Sequence, residues 1–291
     1  PPRSTLFPYT TLFRSNAIFK FFQIMEMVSE NRIFTLFSEK KRNILSIYFT
    51  AGFPHLHDTA GIIELLAKYG ADMIEIGIPF SDPAADGPVI QHSNHVALNN
   101  GISLGLLFEQ LESIRSRVDI PLILMGYVNP VLRFGMERFC RKCRETGIDG
   151  VILPDLPLQE YTGNYEKMFR EYGLCNILLI TPQTSEERIR ETDAVSNGFL
   201  YLVSSYSTTG IGKKAVEMNT EYFDRIQKMN LRNPCMIGFG ISDRETFATA
   251  CNHAAGAIIG SAFISALQHP DLLEGNVARF MASVLGTDGG A

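Results

Sequence analysis

The sequence predicts an α/β fold, a single (β/α)8 TIM barrel with an extra N-terminal helix. Three observations predict it. Short apolar runs and amphipathic segments alternate eight times over about 250 residues, with short connections. No composition break or Pro/Ser-rich linker divides the chain. The rival architecture, a doubly wound open sheet, usually carries a glycine-rich turn after its first strand, and Ala51-Gly52-Phe53-Pro54 does not supply G-x-G-x-x-G.

The elements follow in order. Asn31 to Lys41 places Ile33, Phe34 and Phe37 at helical spacing, with Lys40, Lys41 and Arg42 at the C-terminal end of the dipole. Ile44 to Thr50 reads as the first strand, closed by Gly52 and Pro54. Thr59 to Tyr69 is helical and stops at Gly70. The run from Met73 to Ile78 is a strand apolar on both faces. A breaker-rich loop carries the chain to a helix over Ser103 to Val118, and a strand follows over Pro121 to Met125. Val131 to Thr146 reads as one helix ended by Gly147, Gly150 to Leu153 as a strand, and Tyr161 to Tyr172 as a helix ended by Gly173. Asn176 to Ile180 is the fifth strand, and Thr184-x-x-Glu187 reads as a capping box opening the next helix. Phe199 to Val203 is the sixth strand, followed by a long polar stretch from Ser204 to Lys214 and a helix over Val216 to Met229. Met236 to Gly238 is the seventh strand, with Ser242-x-x-Glu245 as a second capping box. Ala257 to Ile259 is the eighth. A helix runs from Ser261 to Gln268, and Leu272 to Leu285 completes the fold.

Composition narrows the function classes. Hydrophobic residues make up 45% of the 291 and charged ones 20%, enough for a sizeable core in a soluble globule. The net charge of −5 and the lack of a basic run argue against nucleic-acid binding. No apolar segment approaches the roughly 20 residues that span a bilayer. Five cysteines at irregular spacing suit reduced thiols in a cytoplasmic protein. Cys140-x-x-Cys143 lacks a second ligand pair, and His92-x-x-His95 lacks the glutamate of a zincin helix, so no metal site is expected. Residues 1–24 are expected to be a non-native or disordered leader. Thr5-Leu6-Phe7 recurs there as Thr11-Leu12-Phe13 without helix or strand period, and Thr5 to Ser15 back-translates into a common sequencing-adapter sequence. The catalytic barrel domain is placed at 25–291, with its start at Met25 or Met27.

The chemistry centres on Ala71 to Pro88. Glu75 interrupts the apolar run of Met73, Ile74, Ile76 and Ile78, so its carboxylate points into apolar surroundings. Pro79, Pro83, Gly87 and Pro88 then exclude regular structure and carry Asp82 and Asp86 on a loop just beyond the strand. A buried carboxyl with a second one nearby suits acid/base chemistry. A structural ion pair for Glu75 and a turn-forming role for the aspartates is the bland alternative. A barrel places its site at the C-terminal ends of the strands, which gathers Glu75, Asp86, Met125 to Asn129, Asp155, Tyr201 and the stretch after Ser204. Gly238-Phe239-Gly240 and Gly260-Ser261 follow strands seven and eight, where glycines let backbone N–H groups approach an anion. The helix behind Gly260 is therefore expected to be a C-terminal phosphate-binding helix, although the same glycines could serve only as tight turns.

The stretch Glu75-Ile-Gly-Ile-Pro-Phe-Ser-Asp-Pro-Ala-Ala-Asp86-Gly-Pro resembles the signature of the tryptophan synthase α subunit family. Thr50-Ala-Gly-Phe-Pro, Met125-Gly-Tyr-Val-Asn-Pro, Leu153-Pro-Asp-Leu-Pro, Ser207-Thr-Thr-Gly, Gly238-Phe-Gly-Ile-Ser and Gly256-Ala-Ile-Ile-Gly-Ser match it in order, over residues 31–285. The resemblance implies cleavage of indole-3-glycerol phosphate to indole and glyceraldehyde 3-phosphate. It implies Glu75 as general acid/base and Asp86 as the carboxylate on the indole N–H. Tyr48, Met125 and Tyr127 would line the indole pocket and Tyr201 would be the active-site tyrosine. Thr209, Gly210, Gly240, Gly260 and Ser261 would bind substrate around the phosphate. Pro79, Asp82 and Asn129 would meet a β subunit in an α2β2 heterotetramer. That partner would carry pyridoxal phosphate, leaving no cofactor on this chain. Ser205-Tyr206 departs from the Arg-Ser common in the family, and Ile211-Gly-Lys-Lys is an unusual lid end. A non-catalytic activator of a β subunit would not need Glu75 and Asp86. An indole-3-glycerol phosphate synthase would need lysines at strand ends, and none falls there.

Overall fold

Hydrophobic runs, most of them followed by a helix that covers them, close on one another as a barrel. The computed structural model describes residues 31–204, 220–269 and 271–287. The strands are β1 (Ile44–Thr50), β2 (Met73–Gly77), β3 (Leu122–Met125), β4 (Gly150–Ile152), β5 (Cys175–Asn176), β6 (Leu178–Ile180), β7 (Leu200–Val203), β8 (Cys235–Gly238) and β9 (Gly256–Ile259). They form one parallel sheet in the order β5-β4-β3-β2-β1-β9-β8-β7-β6. The two ends of that sheet, β5 and β6, are separated in sequence by Ile177 alone. They are two halves of the predicted fifth strand. The first half pairs with β4, through Gly150↔Cys175 and Val151↔Asn176, and the second with β7, through Leu178↔Leu200 to Ile180↔Leu202. The sheet thus closes into an eight-stave barrel, its staves buried between the core and the outer helices, as continuous apolar strands require.

The floor is plugged by the N-terminal helix Arg32–Glu39. Asn31 caps it by accepting from Ile33 N, and its amide donates to the carbonyls of Asp149 and Gly173 at 2.7 and 2.9 Å. Ile33 is fully buried against the positions where Gly150 and Gly198 lack a side chain. A Cβ on Gly150 would stand 2.9 Å from Ile33 Cδ1, so that glycine makes room for the plug. Buried Asp149 ties the floor together, accepting from Arg32, Arg115 and the Leu122 amide.

Several local expectations need correction. Pro88 does not only break structure: it opens a helix, Pro88–Asn99, at its first position, where a missing N–H costs nothing. His92 and His95 stand exposed on that helix. The segment expected as one helix from 103 to 118 is Leu104–Leu111 followed by a 3-10 turn, Ile114–Ser116. The helix expected over 131–146 is two, Val128–Phe134 and Met136–Thr146, broken at Gly135, whose φ of 95° no L residue adopts readily. The helix after β4 contains a π turn at Tyr161–Tyr165. Both caps shift by one residue, and only the second is a capping box. Ser185, not Thr184, caps Glu186–Val195, and Asp243 with Thr246, not Ser242 with Glu245, caps Arg244–His253.

Candidate active site

The C-terminal ends of β1, β2 and β3 bring the carboxyls together with aromatic walls. Residues of one strand face alternate ways, so Glu75 and Gly77 share the inner face of β2. Tyr48 pairs in register with Glu75 and lays its hydroxyl over Gly77, so closely that any Cβ there would collide with the phenol oxygen. Gly77 is thus the space in which Tyr48 lies. Gly238 does the same for Tyr201, whose phenol oxygen occupies the place a methyl group on that residue would need. Both tyrosines are buried, and burial pushes their phenols well above the ordinary range.

Glu75 lies one inward step deeper and has no exposed surface. Its Oε1 accepts from Ser46 Oγ at 3.1 Å, and its Oε2 has no partner among the described residues. Burial lifts its carboxyl to about 8, against a smaller lowering by the Ser46 hydroxyl. Such a carboxyl holds its proton at neutral pH.

Asp86 stands at the wall of the cavity above, with Tyr48, Ile78, Met125, Tyr127 and Phe239. Burial raises its carboxyl to about 6, and the Tyr127 hydroxyl, donating to Asp86 Oδ2 at 3.2 Å, offsets part of that rise. The same hydroxyl accepts from Ala85 N at 3.1 Å, so Tyr127 holds the loop as well as its carboxylate. Phe80 stacks near Tyr127, ring centroids 5.1 Å apart, and its amide donates to Asn94 on the helix that Pro88 opens. That helix, absent from the sequence-based expectation, therefore pins the loop together with Tyr127.

Of the residues singled out, Tyr48, Asp86, Met125 and Tyr127 meet in this cavity. Glu75 and Tyr201 lie within the barrel core beneath it. Gly240 and Gly260–Ser261 follow β8 and β9, adjacent staves. Phe239 and Gly240 both adopt left-handed backbone, φ 69° and 74°, an uncommon conformation for a phenylalanine. The turn sets the Phe239 ring edge-on to Tyr201, and its carbonyl accepts from Ser204 Oγ at 2.5 Å. Asp82 and Asn129 are exposed and Pro79 is half-buried, on the neighbouring connections after β2 and β3. Thr209 and Gly210 lie outside the described residues. Among the described residues no cluster of His, Cys, Asp and Glu could hold a metal ion, and no helix is long and apolar enough to cross a membrane.

Sequence reasoning misses Ser46, Phe239 and Asn94. The signal for Ser46 is present as the one small polar residue inside Ile44 to Phe49. Its aim at Glu75 follows only from the pairing of β1 with β2.

With this geometry in view, comparison with known proteins gives a consistent answer. The family described as tryptophan synthase alpha chain matches residues 34–287. A tryptophan synthase alpha chain of Flavobacterium psychrophilum is 56% identical over 254 residues, covering 87% of this chain and 99% of the relative. One from Phocaeicola vulgatus is 58% identical over 241 residues, covering 83% and 93%. Among solved structures, the tryptophan synthase subunit alpha of Legionella pneumophila superposes with a TM-score of 0.78 at 34% identity, covering 87% of this chain and 97% of its own. A chain of the tryptophan synthase complex from Pyrococcus furiosus gives 0.75 at 33% identity, covering 85% and 99%.

Proposed function

The chain belongs to the tryptophan synthase alpha chain family, and on that premise we propose which of its residues carry the family's reaction. It is a lyase of tryptophan biosynthesis. It cleaves indole-3-glycerol phosphate to indole and glyceraldehyde 3-phosphate, and the indole passes to a β subunit that joins it to L-serine.

Glu75 is the general acid and base. The bond to be broken leaves ring carbon C3, and its electron pair has nowhere stable to go until C3 is protonated. Glu75, neutral at pH 7 with its carboxyl at about 8, supplies that proton. The ring then carries positive charge spread onto its nitrogen. Asp86, with its carboxyl at about 6, is mostly ionised at pH 7 and accepts from the indole N–H, which stabilises that charge. The side-chain hydroxyl beside the breaking bond returns a proton to Glu75 and becomes the aldehyde. The bond's electron pair restores the indole ring, and the acid is regenerated. A proton donor and an electrostatic partner suffice for this cleavage, so the chain needs no cofactor of its own, pyridoxal phosphate being the β subunit's. The observation that carries the assignment is a wholly buried Glu75 with one oxygen held and the other unpartnered among the described residues, beneath a cavity walled by Asp86.

Tyr48, Met125 and Tyr127 supply flat apolar walls for the indole, and Tyr201 closes the pocket beneath. Thr209, Gly210, Gly240, Gly260 and Ser261 hold the phosphate end. Pro79, Asp82 and Asn129 face the β subunit in an α2β2 complex. The 25–291 stretch acts as one catalytic domain in the cytoplasm.

The test is indole release from indole-3-glycerol phosphate, with and without β subunit. Glu75→Gln and Asp86→Asn should each lose roughly 100-fold or more in kcat while remaining folded. Activity should rise through about pH 6 as Asp86 ionises and fall through about pH 8 as Glu75 loses its proton. A wild type that releases no indole yet stimulates its β subunit would overturn the assignment.

A further inference from the structure

Resting on that reading, we propose that Ser46 is a positioning residue for the cleavage, fixing the Glu75 carboxyl plane and directing its transferable proton to Oε2. Ser46 and Glu75 are both without exposed surface, on adjacent strands of the barrel. The serine hydroxyl donates to Oε1 at 3.1 Å. A neutral carboxyl that accepts at one oxygen as its carbonyl carries its proton on the other. Here that other oxygen is Oε2, which has no partner among the described residues and is the one left for substrate. Among those residues no second hydrogen bond orients the carboxyl, so without Ser46 the group can rotate and exchange its two oxygens.

The hydrogen bond also acts during the reaction. When Glu75 gives up its proton, the Ser46 bond becomes charge-assisted and strengthens. That gain appears only as the carboxylate forms, so it favours the transition state over the bound ground state. It also opposes burial, making Glu75 a stronger acid than its apolar site alone would. The other titratable groups that sense the charge of Glu75 are Tyr48 on β1 and Tyr201 on β7, and both phenols stay neutral across the working range. Asp86 acts on those two phenols from the loop above. The change in Glu75's titration on losing Ser46 therefore reads the serine itself.

Ser46→Ala and Ser46→Thr test this in the complex with the β subunit and in the chain alone. Ser46→Ala should lower kcat for indole release about ten-fold or more, the scale of a hydrogen bond to a charged group, with KM little changed. Its alkaline limb should move to higher pH, and 13C NMR of the labelled Glu75 carboxyl should show the same upward shift. Ser46→Thr keeps the hydroxyl and should restore both. An alanine variant with wild-type kcat and Glu75 titration overturns the role. Equal loss in Ala and Thr, with no change in titration, also overturns it and leaves Ser46 as packing. The NMR titration needs no turnover, so a wild type that releases no indole is read separately, as failure of the lyase assignment itself.

Discussion

Replacing Glu75 by glutamine should make the protein more stable in alkali while abolishing its catalysis. The carboxyl has an ordinary value of 4.5 and is lifted to about 8 in the folded chain, burial being the main cause. The folded state therefore binds this proton more tightly than the unfolded chain does. Stability from this group is complete below about pH 4.5 and is lost as pH rises toward 8, because unfolding then lets a carboxylate escape into water. At 1.36 kcal/mol per unit, the loss is about 3 kcal/mol by pH 7 and on the order of 5 kcal/mol by pH 9. Glutamine keeps the shape and an oxygen for the Ser46 hydroxyl but has no charge to strand. Urea midpoints of the two proteins, read at constant m, should converge near pH 5 and separate steadily up to about pH 9, with the variant higher. All other titrations are common to both and cancel in the difference. Parallel pH dependences would refute the argument, because they would mean that Glu75 meets water or a cation in the folded state.

Tyr127→Phe removes the donor to Asp86 and the acceptor for Ala85 N, so the Asp86 carboxyl should rise further above about 6. The acidic limb of the pH–rate profile should move to higher pH, with kcat/KM at about pH 6 down several-fold. Gly238→Ala drives a methyl onto the Tyr201 phenol. Indole release should fall about ten-fold or more, and thermal unfolding should show a cost of about 1–3 kcal/mol from overpacking. Asp149→Ala removes the carboxylate that pairs with Arg115 and Arg32 at the barrel floor, leaving Arg115 with backbone carbonyls and Arg32 with Asp119. It should cost about 1.5–3 kcal/mol in urea unfolding, the scale of lost hydrogen bonds to a charged group, while kcat measured at low temperature stays unchanged, since the floor is the opposite end from the site.

The strands are legible because each is a short apolar run. Ile44–Thr50 can be read to the residue, and Glu75 stands out by breaking such a run. Pro88 misleads because a proline that ends one element can begin the next, and only the backbone ahead of it decides. Gly135 is invisible inside an amphipathic pattern that continues on both sides of it. The division of residues 175–180 cannot be read at all, since it depends on which neighbour each half pairs with. The same holds for Ser46, whose meaning lies across the strand boundary. Lone residues in a pattern are readable, whereas relations between patterns need the register.

A ring of staves needs a place where its two ends meet, and here that place is Ile177, whose amide donates to the Val151 carbonyl at 3.0 Å. Cys175–Asn176, continued by Ile177, lies against the stave before it and Leu178–Ile180 against the stave after it, so one run of chain closes the barrel from both sides. What would otherwise be a raw edge is stitched by side chains. Asn197 Oδ1 accepts from the Asn176 amide, and Ser196 Oγ takes the Leu178 amide and gives to the Asn176 carbonyl. Leu179, on the second half, also lines the cavity that holds Asp86. The place where the hoop is joined end to end is thus also a wall of the chamber that Asp86 lines, so a change in how the ring closes is felt directly in the shape of that chamber.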